Sequence, residues 1–358
     1  MNIKDSTRAY EAWLGERIPI IPKDLKTKHE RMRESVFAFL RATFYRWIQL
    51  WREVCPELAA APAVLAVADL HVENFGTWRD AEGRLAWGVN DFDEACPLAY
   101  TNDLIRLAVS AHLAADENQL SCSKDDVCQS ILEGYTEGMT HGGHPFVLAE
   151  HHSWLRQLAI SDLRDPVLFW KKLDDLPSVT ARVPNEVRTI LKKALPVRGL
   201  PFRVVHRQAG LGSLGRRRFT ALAEWQGGLI AREVKELRVS AVHWQSTPGS
   251  TQTILYPQIV AQAVRIADPF VRISGHWLLR RLAPDCSRIP LVSLPKAKDE
   301  LNLLHAMGQE TANIHLGTTT ARKRIIRDLR QRPARWLHHA SAKMADLMRT
   351  DWKDWARK

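Results

Sequence analysis

The sequence predicts an α+β fold with two lobes, one larger and mainly helical and one smaller and built of antiparallel strands. Apolar residues recur every three or four positions at about 31–54, 100–115 and 296–315, which is typical of helices with one buried face. Residues 202–237 alternate apolar and polar side chains around glycine turns, which is typical of strands. We therefore expect a helical lobe at 1–200, a β-rich lobe at 201–290, and helices at 291–358 that return to the helical lobe.

The composition indicates a globular cytoplasmic protein. Its 358 residues are 45% hydrophobic and 25% charged, which is ordinary for a chain with a sizeable core. No run of about eighteen apolar residues occurs, so we expect no membrane span. The polar start of the sequence shows no secretion signal. Five scattered cysteines favour reduced thiols over a disulfide framework.

The formal net charge of +11 is concentrated near the end of the sequence. Residues 321–358 hold twelve Lys and Arg against four Asp, a net charge of +8. A basic helical tail that carries Trp336, Trp352 and Trp355 could bind nucleic acid. Because the arginines alternate with apolar positions at helical spacing, we favour a solvated helix whose Trp side chains pack on the body.

The first sixty residues predict helices. Residues 1–30 suggest a short helix followed by an extended arm, and a longer helix is expected from about Arg31 to Val54. Arg41 lies among the apolar positions of that helix. A half-buried arginine needs an anion, which is either an internal carboxylate or a phosphate.

The segment from Val64 to Ala95 carries the candidate chemistry. An apolar strand at 64–68 leads to Asp69 and Asn74, and a second strand at 85–89 leads to the acidic turn 90–94. Carboxylate and amide oxygens at two neighbouring strand ends form a cluster of hard ligands. Mg²⁺ prefers such a cluster when substrate phosphates complete its coordination.

A helix is predicted from Tyr100 to Ala115, with Asp103 in its first turn. Further helices are expected at 127–139 and 147–158. Residues 116–200 otherwise contain proline-punctuated loops whose sequence indicates no chemistry.

The glycine-rich segment at 210–215 lies between two predicted strands, at 202–207 and 219–225. Because the chain continues as strand after the glycines, they occupy a hairpin loop and do not open a helix, as they would in a dinucleotide-binding fold. A third strand at 229–237 carries Lys235. This lysine either contacts phosphates or protects a sheet edge from pairing, and its apolar neighbours favour the first role.

The rest of the chain predicts a helix at 257–267, two short strands within 271–282, a hinge at 283–285 and a long helix ending near His315.

Two resemblances follow from these residues. Asp69-Leu70-His71-x-x-Asn74, followed by Asp91-Phe92-Asp93, resembles the catalytic loop and metal-binding turn of protein-kinase-like phosphotransferases, particularly the aminoglycoside and choline kinases. The chain is also similar to an uncharacterised bacterial family, domain of unknown function twenty-two fifty-two, in four phrases: 37–41, 69–76, 90–94 and 103–108. The name of that family states no activity.

The first resemblance implies a circularly permuted two-lobed kinase-like fold. In ordinary kinases the glycine loop and its lysine precede the catalytic loop, whereas here the catalytic loop comes first. The cyclic order of the parts is preserved, which is the result of moving the chain break to an exposed position.

The resemblance also implies residue roles. Asp69 would orient the acceptor hydroxyl and take its proton, and Asn74 and Asp91 would hold Mg²⁺. Asp93, with Glu94, would bind a second metal or form a solvated acidic turn. Asp103 would brace the catalytic loop. The phosphates of ATP would contact Lys235 and four loop residues, Gly210, Gly212, Ser213 and Gly215.

The sequence departs from the kinase pattern at two places. Val67 and Ala68 replace the usual residues before the catalytic Asp, and no glutamate between Leu237 and Asp299 can pair with Lys235. We therefore expect an ATP- and Mg²⁺-dependent phosphotransferase with an unidentified small-molecule or macromolecular acceptor. The alternatives are a pseudokinase-like nucleotide-binding or scaffolding protein, an adenylyl transferase, and a nucleic-acid-associated module that uses the basic tail.

Overall fold

A computed structural model describes residues 1–148, 152–159, 165–245, 252–286 and 297–357. The fold is mixed α+β with 54% helix and several small antiparallel sheets, which confirms the α+β part of the prediction. The helices are α1 (Ile3–Gly15), α2 (Pro22–Glu34), α3 (Val36–Ala42), α4 (Phe44–Val54), α5 (Pro56–Ala59), α6 (Tyr100–Asp116), α7 (Lys124–His141), α8 (Ser153–Ala159), α9 (Pro166–Asp174), α10 (Asn185–Ala194), α11 (Tyr256–Gln262), α12 (Ala297–His315), α13 (Arg322–Gln331) and α14 (Trp336–Ala356).

The strands pair only with antiparallel neighbours in the described residues. Two small sheets have the orders β1-β4 and β2-β3-β5, and a five-stranded sheet has the order β6-β7-β8-β10-β9. The strands are β1 (Ala63–Ala66), β2 (Phe75–Arg79), β3 (Leu85–Val89), β4 (Cys96–Ala99), β5 (Phe146–Val147), β6 (Arg203–Val205), β7 (Arg218–Trp225), β8 (Gly228–Glu236), β9 (Arg272–Ser274) and β10 (Trp277–Leu282).

The main hydrophobic core surrounds α6, in which every residue from Tyr100 to Ala114 is buried. A helix that is buried on all sides needs neighbours on all sides. Side chains of α3, α4, α7, α12 and α14 share this core with it. No helix in the described ranges is long and apolar enough to cross a membrane.

The five-stranded sheet has cores of its own. Val187 and Leu191 of α10 pack on one group of sheet residues, and Leu173 of α9 packs on another. The segment from α9 to α10 therefore packs against the five-stranded sheet. We had expected the β-rich part to begin only at residue 201.

Two predicted helices differ from the structure at the N-terminal side. Residues 1–30 form α1 and most of α2 instead of a short helix and an extended arm. The helix expected at 31–54 is divided at Ser35 and Thr43, because Ser35 is extended and its side chain caps α3 by accepting the Ala38 N–H.

The helix expected at 147–158 is also different. Phe146 and Val147 pair with β3, and a helix begins only at Ser153. Residues 149–151 of that prediction lie outside the described residues.

The basic tail forms α13 and α14. Trp336 and Trp355 are each 7% exposed, so these two side chains pack against the body as we favoured. Lys323, Arg324 and Arg327 are exposed on α13.

Asp103 ties the end of β1 to α6. Its fully buried carboxylate accepts the backbone N–H groups of Val67 at 2.8 Å and Ala68 at 2.9 Å. His315 at the end of α12 places Nε2 3.1 Å from the same carboxylate, and the Tyr135 hydroxyl lies 2.8 Å from His315 Nδ1. Three distant segments thus meet on one carboxylate.

We expect Asp103→Ala to lower the free energy of unfolding by about 3 kcal/mol, because it leaves two buried N–H groups without acceptors. Asp116→Asn, a carboxylate change at the exposed end of α6, is the matched control and should cost about 1 kcal/mol or less. Urea unfolding measures both. Equal losses in the two variants would show that Asp103 does not brace the β1 end.

Candidate active site

A cleft of about 590 Å³ lies between the β1–β4 region, the glycine-rich segment and the five-stranded sheet. Most of the residues singled out from the sequence line it, namely Asp69, Asn74, Asp91, Asp93, Gly210, Gly212 and Ser213. Lys235 reaches the same acidic residues from β8. Residues more than one hundred positions apart are therefore brought together, as a single site requires.

Asp69 follows β1 at a backbone position that is held from both sides. Ala68 has φ +70°, in the left-handed region, where an L residue is uncommon. Its N–H is bound by Asp103, and its carbonyl accepts the Asn102 amide at 3.1 Å. The position of Asp69 therefore depends on the backbone groups of Ala68 and on the side chains of Asp103 and Asn102 that bind them.

Among the described residues the Asp69 carboxylate accepts hydrogen bonds on one oxygen. Arg106 of α6 donates from Nε to Asp69 Oδ1 at 2.8 Å and also from Nη2. Burial raises the pKa of Asp69 to about 6, although the Arg106 charge opposes the shift. A base with this pKa is ionised at neutral pH and can still accept a proton.

Asn74 and Asp91 are joined across the two strand ends. The Asn74 amide donates to the Asp91 backbone carbonyl at 3.0 Å, and the Asn90 N–H donates to the Asn74 backbone carbonyl at 2.8 Å. The Asp91 carboxylate is 39% exposed, whereas that of Asp93 is only 9% exposed. Burial and the neighbouring Asp93 charge raise the pKa of Asp91.

Lys235 is 1% exposed and its ammonium lies between two carboxylates. Nζ is 3.1 Å from Asp91 Oδ2 and 2.7 Å from Asp93 Oδ1. These aspartates explain why the sequence offered no glutamate partner after residue 237: the partners precede the lysine, in the acidic turn itself.

Asp93 and Glu94 bind arginines. Arg216 Nη1 is 2.9 Å from Asp93 Oδ2, and Arg216 and Arg238 both contact Glu94. The Ala241 N–H donates to Glu94 at 2.6 Å. Despite burial, the Lys235 and Arg216 charges hold the pKa of Asp93 well below its usual range. The expectation of a solvated acidic turn is therefore wrong for Glu94, and the contacts of Asp93 disfavour a metal role because cations face both of its oxygens.

The glycine-rich segment connects β6 to β7, as the alternation predicted. Gly210 has φ +72°, and residues Leu211–Ser213 form one turn of 3₁₀ helix. A Cβ on Gly212 would lie 3.0 Å from the Arg41 backbone carbonyl and 3.6 Å from Asp69 Oδ2. The loop thus passes directly over the Asp69 side of the cleft, at a distance where a Cβ would force its neighbour to shift by a few tenths of an ångström.

Two predicted loop residues are engaged elsewhere. Gly215 does not line the cleft; its carbonyl accepts the Ile21 N–H at 2.8 Å, and it packs near Leu25 of α2. The Ser213 hydroxyl donates to the Gly210 carbonyl at 3.0 Å and lies 3.1 Å from Arg218 Nη2. Through these contacts Gly215 and Ser213 hold the glycine-rich loop in position.

Sequence reasoning missed several residues of this site. Arg106 was not assigned a role, although a charged residue on the apolar face of a predicted helix indicates a buried ion pair. Glu233 of β8 is fully buried and bound by Arg207, Arg218 and Arg280. These three charges hold the pKa of Glu233 well below its usual range despite burial. Strand alternation gave no sign of this cluster.

The predicted hinge contacts the helical side of the cleft. The Thr77 hydroxyl donates to the Asp285 backbone carbonyl at 2.7 Å, and Arg79 pairs with the Asp285 carboxylate. Leu282 and Cys286, on either side of the hinge, line the cleft.

The donor set available for a metal is small. The Asn74 carbonyl oxygen has no hydrogen bond within the described part of the chain, and the Asp91 carboxylate is half-buried beside it. No group of three His, Cys, Asp or Glu side chains in that part is arranged to hold a metal. One amide and one carboxylate oxygen fit Mg²⁺, which keeps waters and takes further ligands from phosphates.

Comparison with known proteins identifies one family. Residues 17–162 match the family described as "Uncharacterized protein conserved in bacteria (DUF2252)". A search of curated proteins and a search of solved structures found no match. These comparisons give no evidence for the resemblance to phosphotransferases. The matched segment contains Asp69, Asn74 and Asp91, whereas the glycine-rich segment and Lys235 lie beyond it. Over residues 17–162 the chain is similar to the uncharacterised bacterial family DUF2252.

Proposed function

We propose that this protein is an ATP- and Mg²⁺-dependent phosphotransferase of kinase-like, circularly permuted fold that acts on a hydroxyl acceptor. One observation carries the proposal: Asp69, Asn74, Asp91 and the loop at Gly210–Ser213 line a single cleft, and Lys235 binds the same acidic turn. Phosphoryl transfer depends mainly on positioning and charge neutralisation, for which this set of groups suffices.

The chain order supports the permuted arrangement. The five-stranded sheet carries the glycine loop and Lys235, and the hinge that follows β10 is hydrogen-bonded to β2. Helix α12 then returns to the main core beside α6 and α7. Its last residue, His315, contacts Asp103, which braces the loop before Asp69. The helix and loop that adjoin in ordinary kinases are therefore neighbours here in space.

In the proposed reaction Asp69 is the base. Its Oδ1 is held by Arg106, which leaves Oδ2 on the side of Gly212 to orient the acceptor hydroxyl and receive its proton. Asn74 and Asp91 would hold Mg²⁺, and the bound Mg²⁺-ATP would supply the phosphoryl group. Lys235 keeps Asp91 and Asp93 in place. The loop at 210–213 closes the cleft over Asp69.

A second candidate is a nucleotide-binding scaffold with weak turnover, or an adenylyl transferase. It is favoured by the fully buried Lys235 ammonium, which two carboxylates already engage. A lysine that two carboxylates engage is less available to phosphates than a lysine that pairs with a single glutamate. Catalytic measurements on Asp69 variants separate the two functions.

We predict that Asp69→Asn keeps Mg²⁺-ATP binding within about threefold and lowers turnover by about 100-fold or more, because only proton transfer is lost. Asp91→Asn should weaken Mg²⁺-ATP binding by about tenfold or more, because it removes a charged ligand. Calorimetry measures binding, and a screen of metabolites and protein extracts with labelled ATP measures turnover.

The control for both variants is Asp346→Asn, which makes the same charge change on an exposed residue of α14. It should leave both quantities unchanged. Absence of nucleotide binding by the wild-type protein with Mg²⁺ would exclude the phosphotransferase and the nucleotide-binding scaffold together. Binding without turnover on any acceptor would favour the scaffold.

We expect turnover to fall as the pH drops through about 6. The raised pKa of Asp69 means that this carboxylate gains its proton there, and a protonated base cannot accept another. The pH dependence of kcat/KM measures this in the free enzyme. In Asp69→Asn the residual rate should lack the acidic limb, and its persistence would assign the limb to another group.

Gly212→Ala should weaken nucleotide binding by about fivefold or more. The new methyl group would lie 3.0 Å from the Arg41 backbone carbonyl, so the loop must shift over the cleft. Gly228→Ala is the matched control, because no described residue lies within 4 Å of its Cβ position in the β7–β8 turn. Equal affinities in the two variants would remove the loop from the nucleotide site.

A further inference from the structure

One wall of the cleft contains a buried cation without an anionic partner. Lys28 of α2 is 4% exposed and lines the cleft. Its ammonium makes no hydrogen bond or ion pair with the described residues, and it lies 5.8 Å from the centroid of the Tyr45 ring. Burial lowers the pKa of Lys28 to about 8. A buried ammonium is unfavourable unless an anion compensates it, so this position is suited to a ligand.

Tyr10 of α1 adds a second polar group to the same wall. It is 2% exposed, and its ring stacks on Tyr45 with centroids 4.2 Å apart. Its hydroxyl has no hydrogen-bond partner in the described part of the chain. Because Tyr10 lines the cleft as Lys28 does, both groups can donate to one occupant.

The neighbouring charges do not supply the missing anion. Glu11 is hydrogen-bonded to His29 at 2.6 Å, and Glu94 is held by Arg216 and Arg238. The Glu11 charge opposes the lowering of the Lys28 pKa through space, but neither carboxylate makes an ion pair with the Lys28 ammonium among the described residues. At the rim, Arg31 and Glu34 are exposed and of opposite sign, so they do not change this balance.

We propose that Lys28 and Tyr10 form an anion-binding subsite of the cleft, which holds a carboxylate or phosphate group of the phosphoryl acceptor. The assignment to the acceptor rests on the proposed function; the anion site itself does not. Tyr10 and Lys28 lie on the α1–α2 wall, whereas the nucleotide groups come from the sheet and the acidic turn. An acceptor bound here would place its anionic group on that wall and its hydroxyl toward Asp69. The acceptor class is therefore an acidic hydroxy compound.

The subsite is tested with sulfate, a tetrahedral dianion whose charge is constant across neutral pH. Sulfate affinity is measured by calorimetry at fixed ionic strength and without nucleotide. We expect Lys28→Met to weaken binding by about tenfold or more and Tyr10→Phe by a few-fold, because each removes a donor to the anion. Lys26→Met is the matched control on the same helix, since Lys26 is exposed, and it should bind as the wild type does.

A second measurement uses the unmodified chain. Sulfate should slow acetylation of Lys28 by acetic anhydride by about fivefold or more, while Lys26 reacts at the same rate with and without sulfate. Peptide mass spectrometry reads both lysines in one sample. Equal sulfate affinity in Lys28→Met and Lys26→Met, or the absence of protection at Lys28, would overturn the subsite.

Different results would contradict the phosphotransferase proposal and the anion-subsite proposal. If Mg²⁺-ATP does not bind but sulfate protects Lys28, the phosphotransferase is excluded and the anion site stands. If Mg²⁺-ATP turnover is found and every accepted substrate lacks a carboxylate or phosphate, the subsite does not serve the acceptor. Turnover of an acidic hydroxy compound whose KM rises by about tenfold in Lys28→Met, with kcat less affected, is the expected result.

Discussion

The ion pairs between the acidic turn at 91–94 and three cations from the middle of the chain hold the cleft together. Lys235 binds Asp91 and Asp93, Arg216 binds Asp93 and Glu94, and Arg238 binds Glu94. Burying either set alone is strongly unfavourable, because each buried charge loses its hydration. The turn after β3 and the strand β8 are therefore buried only together. This mutual requirement joins the first hundred residues to the sheet.

The same pairing decides which groups remain available to a ligand. Asp93 and Glu94 are saturated by cations, whereas Asp91 stays partly exposed and Asp69 is bound on one oxygen. On the cationic side, Arg216 and Arg238 are compensated and Lys28 is not. Among the described residues the cleft thus presents the Asp91 carboxylate with an adjacent amide for a cation, the Asp69 base, and the Lys28 ammonium for an anion. These groups would carry out the proposed chemistry. The paired charges of the acidic turn hold the walls of the cleft in position.

The elements with a regular pattern could be predicted from the sequence. The helix at 100–115, the hairpin around the glycines and the strand that carries Lys235 follow from apolar periodicity and turn residues, which are local properties. The breaks at Ser35 and Thr43 were missed because one apolar face continues through them. The partners of Lys235 were not predicted, because the kinase order places an acid after the lysine, whereas Asp91 and Asp93 precede it. Buried arginines such as Arg106 and Arg218 find their acids through tertiary packing, which periodicity does not encode.

The left-handed Ala68 has a consequence for how ligands are received. An L residue in that conformation is disfavoured by about 1 kcal/mol, and bonds from Asp103 and Asn102 maintain it without any ligand. The residue that follows, Asp69, is accordingly rigid before anything binds. An incoming molecule need not order this segment, so its association should proceed as docking to a formed surface, with a heat-capacity change set by the area covered and no contribution from local folding.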